Sequence, residues 1–161
     1  MNNKNKVEFL EKLIITYGDM VYRLALARTR NKEMAEDVYQ DVFLKIGKRN
    51  PKFENENHEK AYIIRATINQ TKMFLDSKHI KRVEELKENL SFEVPERGEI
   101  YYAVLELPIK YRTAIYLFYY EEYKINEIAK LMKSNENTVK SWLSRAREML
   151  KNKIEGGMED E

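Results

Sequence analysis

Apolar residues recur at helical spacing along most of the chain, and two such stretches near its C-terminal end are separated by a short polar break. In INEIAKLMKSNENTVKSWLSRAREML, from Ile125 to Leu150, the first stretch ends at Met132 and the second resumes at Val139. The turn between them, Lys133-Ser134-Asn135, is too short for an antiparallel helix pair, and Asn135 is a favourable N-cap for the second helix. This pattern predicts a helix-turn-helix.

The second helix of such a unit has the composition expected of a DNA reader. Its N-terminal residues would face base edges in the major groove, and here they are the polar side chains Glu136, Asn137, Thr138, Lys140 and Ser141. Basic residues suited to flanking phosphates follow, namely Arg145, Arg147, Lys151 and Lys153. Two packed helices with a solvated charged face are the alternative, but the buried-type positions Ala129 and Val139 together with the basic residues favour DNA binding.

The remaining periodicity and the scarcity of Gly and Pro, 5 and 3 in 161 residues, predict an all-α protein. The segment from Lys78 to Gly98 loses the wide apolar face and concentrates charge, so it divides two small helical domains joined by a flexible linker. The predicted divisions are residues 1–81, the linker 82–98, residues 99–155 and an acidic tail, 156–161. The predicted helices are Val7–Arg30 with a joint at Gly18, Lys32 to about Gly47, about His58–His79, Ile100–Glu106 and Ile109–Tyr120. Pro108 stands at the N1 position, where a helix can begin.

Composition also restricts the chemistry. Cys is absent and the two imidazoles, His58 and His79, are far apart in the sequence, which predicts no metal and no cofactor. Carboxylates coincide with no His or apolar pocket signature, so no catalytic group is assigned and an enzyme is not expected. No signal peptide or run of roughly 20 apolar residues occurs, which predicts a cytoplasmic protein without membrane insertion. The formal net charge is only +2, so nucleic-acid binding must come from local patches.

The helix predicted from Lys32 carries acidic and amide side chains along one face. Glu33, Asp37, Gln40 and Asp41 recur at i, i+4, i+7 and i+8. Such a face repels phosphate and suits a basic protein partner, although a merely solvated face remains open.

A basic loop, Lys48–Asn57, precedes the third predicted helix and contains one aromatic residue, Phe53. Arg65, Asn69, Lys72 and Asp76 then form a polar line along that helix. Basic, amide and aromatic side chains together are the composition that grips and stacks single-stranded bases, while simple solvation is the alternative. The aromatic segment Tyr111–Tyr120 is apolar nearly all round, which fits either a docking surface or dense core packing.

Two separated blocks resemble one family. AEDVYQDVFLKI (Ala35–Ile46) and AYIIRATIN (Ala61–Asn69) resemble the promoter-melting domain of bacterial RNA polymerase sigma factors of the extracytoplasmic-function (ECF) group. LELPIKYRTAIYLFYYEEYKINEIAKLMKSNENTVKSWLSRAREMLK (Leu105–Lys151) resembles the fourth conserved region of the same group. The resemblance implies a transcription initiation factor that directs core RNA polymerase to promoters and promotes DNA melting. A helix-turn-helix transcriptional regulator without a sigma role is the alternative.

The resemblance also implies partners and site residues. The partners are core RNA polymerase, promoter DNA as duplex and as single strand, and an anti-sigma factor. Core polymerase would bind Glu36, Asp37, Gln40 and Asp41. The downstream (minus-10) element, as single-stranded DNA, would bind Lys48, Arg49, Asn50, Lys52, Phe53, Arg65, Asn69 and Lys72. The upstream (minus-35) element would bind Asn137, Thr138, Lys140, Ser141 and Arg145. Two departures concern this last surface, since Lys133 stands where the family often has Gly and Trp142 where it commonly has Arg.

Overall fold

The structure, a computed structural model, describes residues 3–77 and 99–159, and all regular elements within these ranges are helical. Contacts divide the chain into two compact units, Met1–Leu90 and Ser91–Glu161. The predicted linker, 82–98, lies outside the described residues. Within the described ranges no helix is both long and apolar enough to cross a membrane. The helices are α1 (Asn3–Thr29), α2 (Lys32–Arg49), α3 (Glu56–Ser77), α4 (Glu99–Leu105), α5 (Ile109–Ile115), α6 (Ile125–Leu131) and α7 (Glu136–Glu159).

The first unit is a three-helix bundle in which α1 packs on α2 and α3, and α2 packs on α3. Apolar residues recurring at three- and four-residue spacing face one another and exclude water, which is the main source of stability for amphipathic helices. The largest fully buried side chains of this core are Leu13, Val21, Leu24, Val38, Val42, Ile46, Ile63 and Ile64.

A two-residue connection reverses the chain between α1 and α2. Arg30 adopts a left-handed conformation with φ 56°, and its backbone N–H donates to the Leu26 carbonyl at 2.8 Å, which ends α1. Asn31 is extended, and its side-chain oxygen accepts from the Met34 backbone N–H at 2.8 Å. That bond satisfies one of the donors left free at the start of α2, so the turn is encoded locally.

Gly18 was predicted to be a joint in the first helix, but α1 runs through it without a break. The residue is buried where α1 meets α2, and a Cβ atom there would lie 3.2 Å from the Tyr39 hydroxyl oxygen. Gly18 therefore allows the two helices to approach because it has no side chain, and it does not bend α1.

The interior of the first unit includes a charged side chain. Arg28 is 8% exposed, and its Nε donates to the Thr71 hydroxyl on α3 at 2.6 Å. Burial disfavours the charged guanidinium and lowers the pKa of Arg28 to about 10. The folded state therefore loses this proton at lower pH than the unfolded state. The cost of burying the charge is fully present at neutral pH, and it declines only as the pH rises above the pKa of Arg28, about 10.

The second unit is built around α7, which packs against α4, α5 and α6. Its buried apolar side chains come from every helix of the unit, and they include Val104, Leu105, Leu107, Ala114, Ile115, Leu117, Ile128, Leu131, Val139, Leu143 and Ala146. The helix at the start of this unit agrees with the prediction within a residue at each end, whereas α7 extends to Glu159, past the start of the predicted tail.

The predicted helix-turn-helix is confirmed in its local geometry. At the end of α6, Lys133 has φ 52°, and the backbone N–H of Ser134 donates to the Ala129 carbonyl at 2.8 Å. A bond spanning six residues beside a left-handed residue is the Schellman ending of a helix. Asn135 then caps α7, because its side-chain oxygen accepts from the Thr138 backbone N–H at 2.8 Å. The predicted N-cap is therefore correct.

The aromatic segment differs from the single predicted helix. An α-helix, α5, ends at Ile115, and Tyr116–Tyr120 forms a π-helical turn closed by the Glu121 backbone N–H to the Tyr116 carbonyl at 3.3 Å. Tyr116 and Leu117 are buried, whereas Tyr119 and Tyr120 are 52% and 45% exposed. The wider turn therefore divides one aromatic run between the core and the surface. Core packing describes Tyr116 and Leu117, whereas a docking role for Tyr119 and Tyr120 stays a prediction.

Candidate nucleic-acid interface and protein-binding face

The first half of α7 has a polar outer face and an apolar inner face. Val139, Leu143 and Ala146 are buried against the rest of the unit. Of the predicted DNA-binding residues on this helix, Thr138 is half-buried, and the exposed ones are Asn137, Lys140, Ser141 and Arg145. The structure therefore brings all five predicted side chains onto one short helical segment whose apolar side is already covered.

Two aromatic-held cations stand beside this face, and one of them was missed by sequence reasoning. Arg147 donates through Nε to the Tyr119 hydroxyl at 2.8 Å and lies over the Phe118 and Tyr119 rings at 5.6 and 5.7 Å. Lys110, from α5, places its ammonium 6.0 Å from the centre of the Trp142 ring. Sequence reasoning missed Lys110 because a single lysine distant in sequence from α7 forms no pattern with it. The available signal was Trp142, a large aromatic residue within an otherwise polar part of α7, which suggested that its ring contacts another side chain.

The loop between α2 and α3 is held at both ends by backbone and capping bonds. Asn50 ends α2 in a left-handed conformation, with its N–H donating to the Ile46 carbonyl at 2.8 Å. Asn55 caps α3 by accepting from the His58 N–H at 2.8 Å, and His58 Nδ1 accepts from the Glu54 N–H at 3.1 Å. Capping bonds therefore fix how the chain leaves α2 and enters α3.

The predicted base-binding residues of this loop fall into two groups. Phe53 is half-buried and packs against the rings of Phe9, His58 and Tyr62 at 6.3, 5.6 and 5.3 Å. Its ring therefore anchors the loop to α1 and α3. The exposed members of the group are the cations Lys48, Arg49 and Lys52. The predicted loop, Lys48–Asn57, was too long at both ends, because α2 continues through Lys48 and Arg49 and α3 begins at Glu56.

The polar line along α3 continues from this loop. Asn69 and Lys72 are exposed, and Arg65 is half-buried. Their positions, 65, 69 and 72, are four and three residues apart, which places them on one face of the helix. These cations and the α3 line thus belong to the same unit.

The acidic face of α2 consists of Glu33, Glu36, Asp37, Gln40 and Asp41, and its members are not equivalent. Glu33, Glu36 and Gln40 are exposed and Asp37 is half-buried. Asp41 instead accepts from Gln70 Nε2 on α3 at 3.3 Å, and Gln70 Oε1 accepts from Lys45 Nζ at 2.6 Å. Asp41 therefore contributes to packing between α2 and α3, while the others are available to a partner.

A groove of about 410 Å³ lies between α1 and α2 beside the acidic face, and sequence reasoning did not find it. Its lining includes Ile15, which is 84% exposed, together with Tyr22, Glu36 and Tyr39. Burial, and secondarily the Glu36 carboxylate, raises the pKa of the Tyr22 phenol, which stays protonated at neutral pH. The groove therefore combines apolar and acidic side chains, next to the face predicted to bind protein.

The fold and its surfaces define a two-unit helical protein with a helix-turn-helix in its second unit. Comparison with protein families gives the class: residues 13–79 match Sigma-70 region 2 and residues 97–150 match Sigma-70, region 4. The chain belongs to the RNA polymerase sigma factors of the ECF group, which are transcription initiation factors.

Relatives agree along nearly the whole length. The chain is 27% identical over 165 residues to the ECF RNA polymerase sigma factor SigM of Bacillus subtilis, covering 94% of this chain and 99% of SigM. It is 30% identical over 138 residues to RNA polymerase sigma factor SigV of the same organism, covering 81% of each.

Two solved structures share the fold. The sigma factor RpoE, solved with the anti-sigma factor NepR from Bartonella quintana, has a TM-score of 0.73 at 21% identity, covering 92% of this chain and 97% of RpoE. CnrH, solved with the cytosolic domain of CnrY, has a TM-score of 0.66 at 18% identity, covering 91% of this chain and 88% of CnrH.

Proposed function

We propose that this sigma factor carries core RNA polymerase to promoters by reading two DNA elements, one with each unit, in the cytoplasm. The observation that carries the proposal is the first half of α7, where exposed Asn137, Lys140 and Ser141 stand on a helix whose apolar side is buried. Such side chains reach base edges when a recognition helix enters the major groove, so α7 would read the upstream element as duplex, with Thr138 and Arg145 at its edge.

The first unit would hold the downstream element as single strand. The exposed cations are Lys48 and Arg49 at the end of α2 and Lys52 on the loop, and Arg65, Asn69 and Lys72 lie on α3. Cations can follow the phosphates while the amide of Asn69 bonds an unpaired base, and Asn50 and Phe53 fix the loop that presents them. Capture of an unstacked base offsets the few kcal/mol needed to unstack it, so binding favours the melted state.

Core polymerase would bind the acidic face of α2. Glu36, Asp37 and Gln40 are accessible there, while Asp41 secures α2 to α3. Acidic side chains fit a basic partner surface, and the adjoining apolar groove would add buried area.

The first experiment is run-off transcription with purified core polymerase, with and without this protein, on pooled fragments of its own genome. We expect new transcription starts that share two motifs at constant spacing. If the protein binds duplex DNA yet no new starts appear, the sigma mechanism fails and a helix-turn-helix regulator becomes the better account.

The polymerase interface is tested by Asp37→Lys, which should abolish co-purification with core polymerase because it places a cation against a basic surface. Glu8→Lys makes the same charge change on the exposed start of α1, outside the groove lining, and should retain binding. Equal loss in both variants would show a nonspecific charge effect and contradict this interface.

The melting surface is tested by Asn69→Ala. Alanine favours helix and Asn69 is exposed, so α3 should stay folded. We expect normal binding to core polymerase and to the upstream duplex, with reduced oxidation of unpaired thymines in the promoter. Unchanged melting would remove Asn69 from the proposed surface.

An anti-sigma factor is also proposed as a partner. RpoE and CnrH, which share the fold of this chain, were each solved with a bound partner, and that of RpoE is an anti-sigma factor. A protein that co-purifies with the tagged chain should suppress the run-off starts when added back and release them when removed. A bound protein that leaves transcription unchanged would not be an anti-sigma factor.

A further inference from the structure

The recognition helix has a cation on each of its two flanks, and each cation is seated on an aromatic side chain. Trp142 and Arg147 are five positions apart in the sequence, which places them about 140° apart around α7. The buried residues Val139, Leu143 and Ala146 lie in the arc between them, on the core side. Trp142 and Arg147 therefore mark the two edges of the exposed face.

On one edge the cation comes from another helix. The Lys110 ammonium lies 6.0 Å from the centre of the Trp142 ring, within the range of a cation–π contact. Lys110 is exposed, and within the described residues no carboxylate pairs with it. Its charge is therefore positioned but not neutralised.

On the other edge the cation belongs to α7 itself. Arg147 is held by the Tyr119 hydroxyl at 2.8 Å and lies over the Phe118 ring at 5.6 Å. Tyr119 is 52% exposed, at the surface end of the π-helical turn. That turn thus supports an exposed arginine. Like Lys110, Arg147 pairs with no carboxylate within the described ranges.

We propose that Lys110 on Trp142 and Arg147 on Tyr119 form a clamp that binds the two phosphate backbones bordering the major groove in which α7 lies. This proposal rests on the proposed function, because it requires α7 to enter duplex DNA. A helix in the major groove has one sugar-phosphate strand on each side, and phosphate contacts fix its orientation without reading sequence. Holding each cation on a ring reduces the freedom it would lose on binding.

The clamp also accounts for Trp142. A tryptophan at the edge of a recognition helix offers no positive charge, but its face holds the ammonium of Lys110, which supplies that charge from α5. Trp142 is then a positioning residue, and Lys110 is the phosphate ligand.

The test measures affinity against salt concentration, with the full chain alone and in complex with core polymerase. The probes are a duplex carrying the upstream motif recovered by run-off transcription and a scrambled duplex of equal composition. Each phosphate contact contributes about 0.9 to the slope of log affinity against log salt. On both duplexes, Lys110→Gln and Arg147→Gln should each lower the slope by about 0.9. The loss of affinity between 50 and 200 mM salt would then be about 3.5-fold smaller than for the unmodified chain.

The matched control is Lys6→Gln, which removes one positive charge from the exposed start of α1, in the first unit. It should leave the slope unchanged. Trp142→Leu should lower the slope as Lys110→Gln does, with no further loss when the two are combined, whereas Trp142→Phe should preserve it. Since Trp142 is the only tryptophan, its fluorescence reports directly whether Lys110→Gln alters the ring's surroundings.

An unchanged slope in Lys110→Gln overturns the clamp, and so does a loss confined to the motif duplex, which would indicate a base contact. Absence of any duplex binding by the unmodified chain, alone and with polymerase, overturns it as well. Failure of the proposed function is distinguishable, because it would appear as absent polymerase binding or absent transcription starts, while the salt slopes measured on a duplex of unrelated sequence would still respond to the variants.

Discussion

The two units differ in how their interiors and surfaces are specified. Among the described residues, six of the eight buried polar or charged side chains belong to the first unit, including Arg28, Gln70 and Thr71. The first unit therefore depends on polar partners that are distant in sequence, such as Arg28 with Thr71. In the second unit the decisive bonds of the helix-turn-helix join residues three to five apart, as Asn135 with Thr138 and Ala129 with Ser134. Local bonds define the helix-turn-helix of the second unit, whereas tertiary packing defines the surfaces of the first unit.

The largest test of this difference asks whether the units are stabilised separately. Leu24→Ala in the first unit and Leu143→Ala in the second each remove a side chain that is 0% and 1% exposed, respectively. Each should cost about 2–5 kcal/mol. Hydrogen exchange should show lost protection only in the unit that carries the change. Equal loss in both units after either substitution would mean that they unfold together, and the predicted division of the chain would be wrong.

A second test concerns the polar interior of the first unit. Thr67 and Thr71 are both fully buried on α3, and each donates its hydroxyl to a carbonyl of its own helix, but only Thr71 accepts from Arg28. Thr71→Val should cost about 1.5–3 kcal/mol because it removes an acceptor from a buried cation. Thr67→Val, the matched control, should cost less than about 1 kcal/mol. Equal values in urea unfolding would show that the Arg28 bond adds no stability.

A third test compares the same cap in the two units. Asn31 and Asn135 each accept one backbone N–H at 2.8 Å, but Asn31 is buried and Asn135 is exposed. Asn31→Ala should cost about 1–2 kcal/mol, and Asn135→Ala about 0.5–1 kcal/mol, because water can replace the bond only at the exposed cap. Thermal unfolding of the two variants gives the comparison, and a larger loss at Asn135 would contradict it.

These contrasts explain which features the sequence could predict. The helices, the N-caps and the helix-turn-helix follow from residues a few positions apart, and the family resemblance was confirmed by the matched regions. The bond between Asp41 and Gln70 spans 29 positions, and the ring of Phe53 packs on Phe9 from another helix. No periodicity carries such information, because it depends on how helices pack. The DNA and polymerase roles of individual side chains stay predictions.

The smallest expected effect lies in the turn of the helix-turn-helix. Lys133 has φ 52°, in the left-handed region where a Cβ atom is unfavourable and glycine is not. Lys133→Gly should therefore stabilise the second unit by about 0.5–1 kcal/mol, after allowing for the greater freedom of glycine in the unfolded chain. The matched control is Lys130→Gly, the same change inside α6, which should destabilise by about 1 kcal/mol.

Opposite signs for the same substitution three residues apart would show that backbone conformation, and not the loss of a lysine side chain, decides stability at this turn. Denaturant midpoints for the second unit measure both. If both variants lose stability, then the Lys133 side chain contributes more than its backbone strain costs. The turn would in that case depend on side-chain contacts, and the second unit would resemble the first in relying on more than its local backbone bonds.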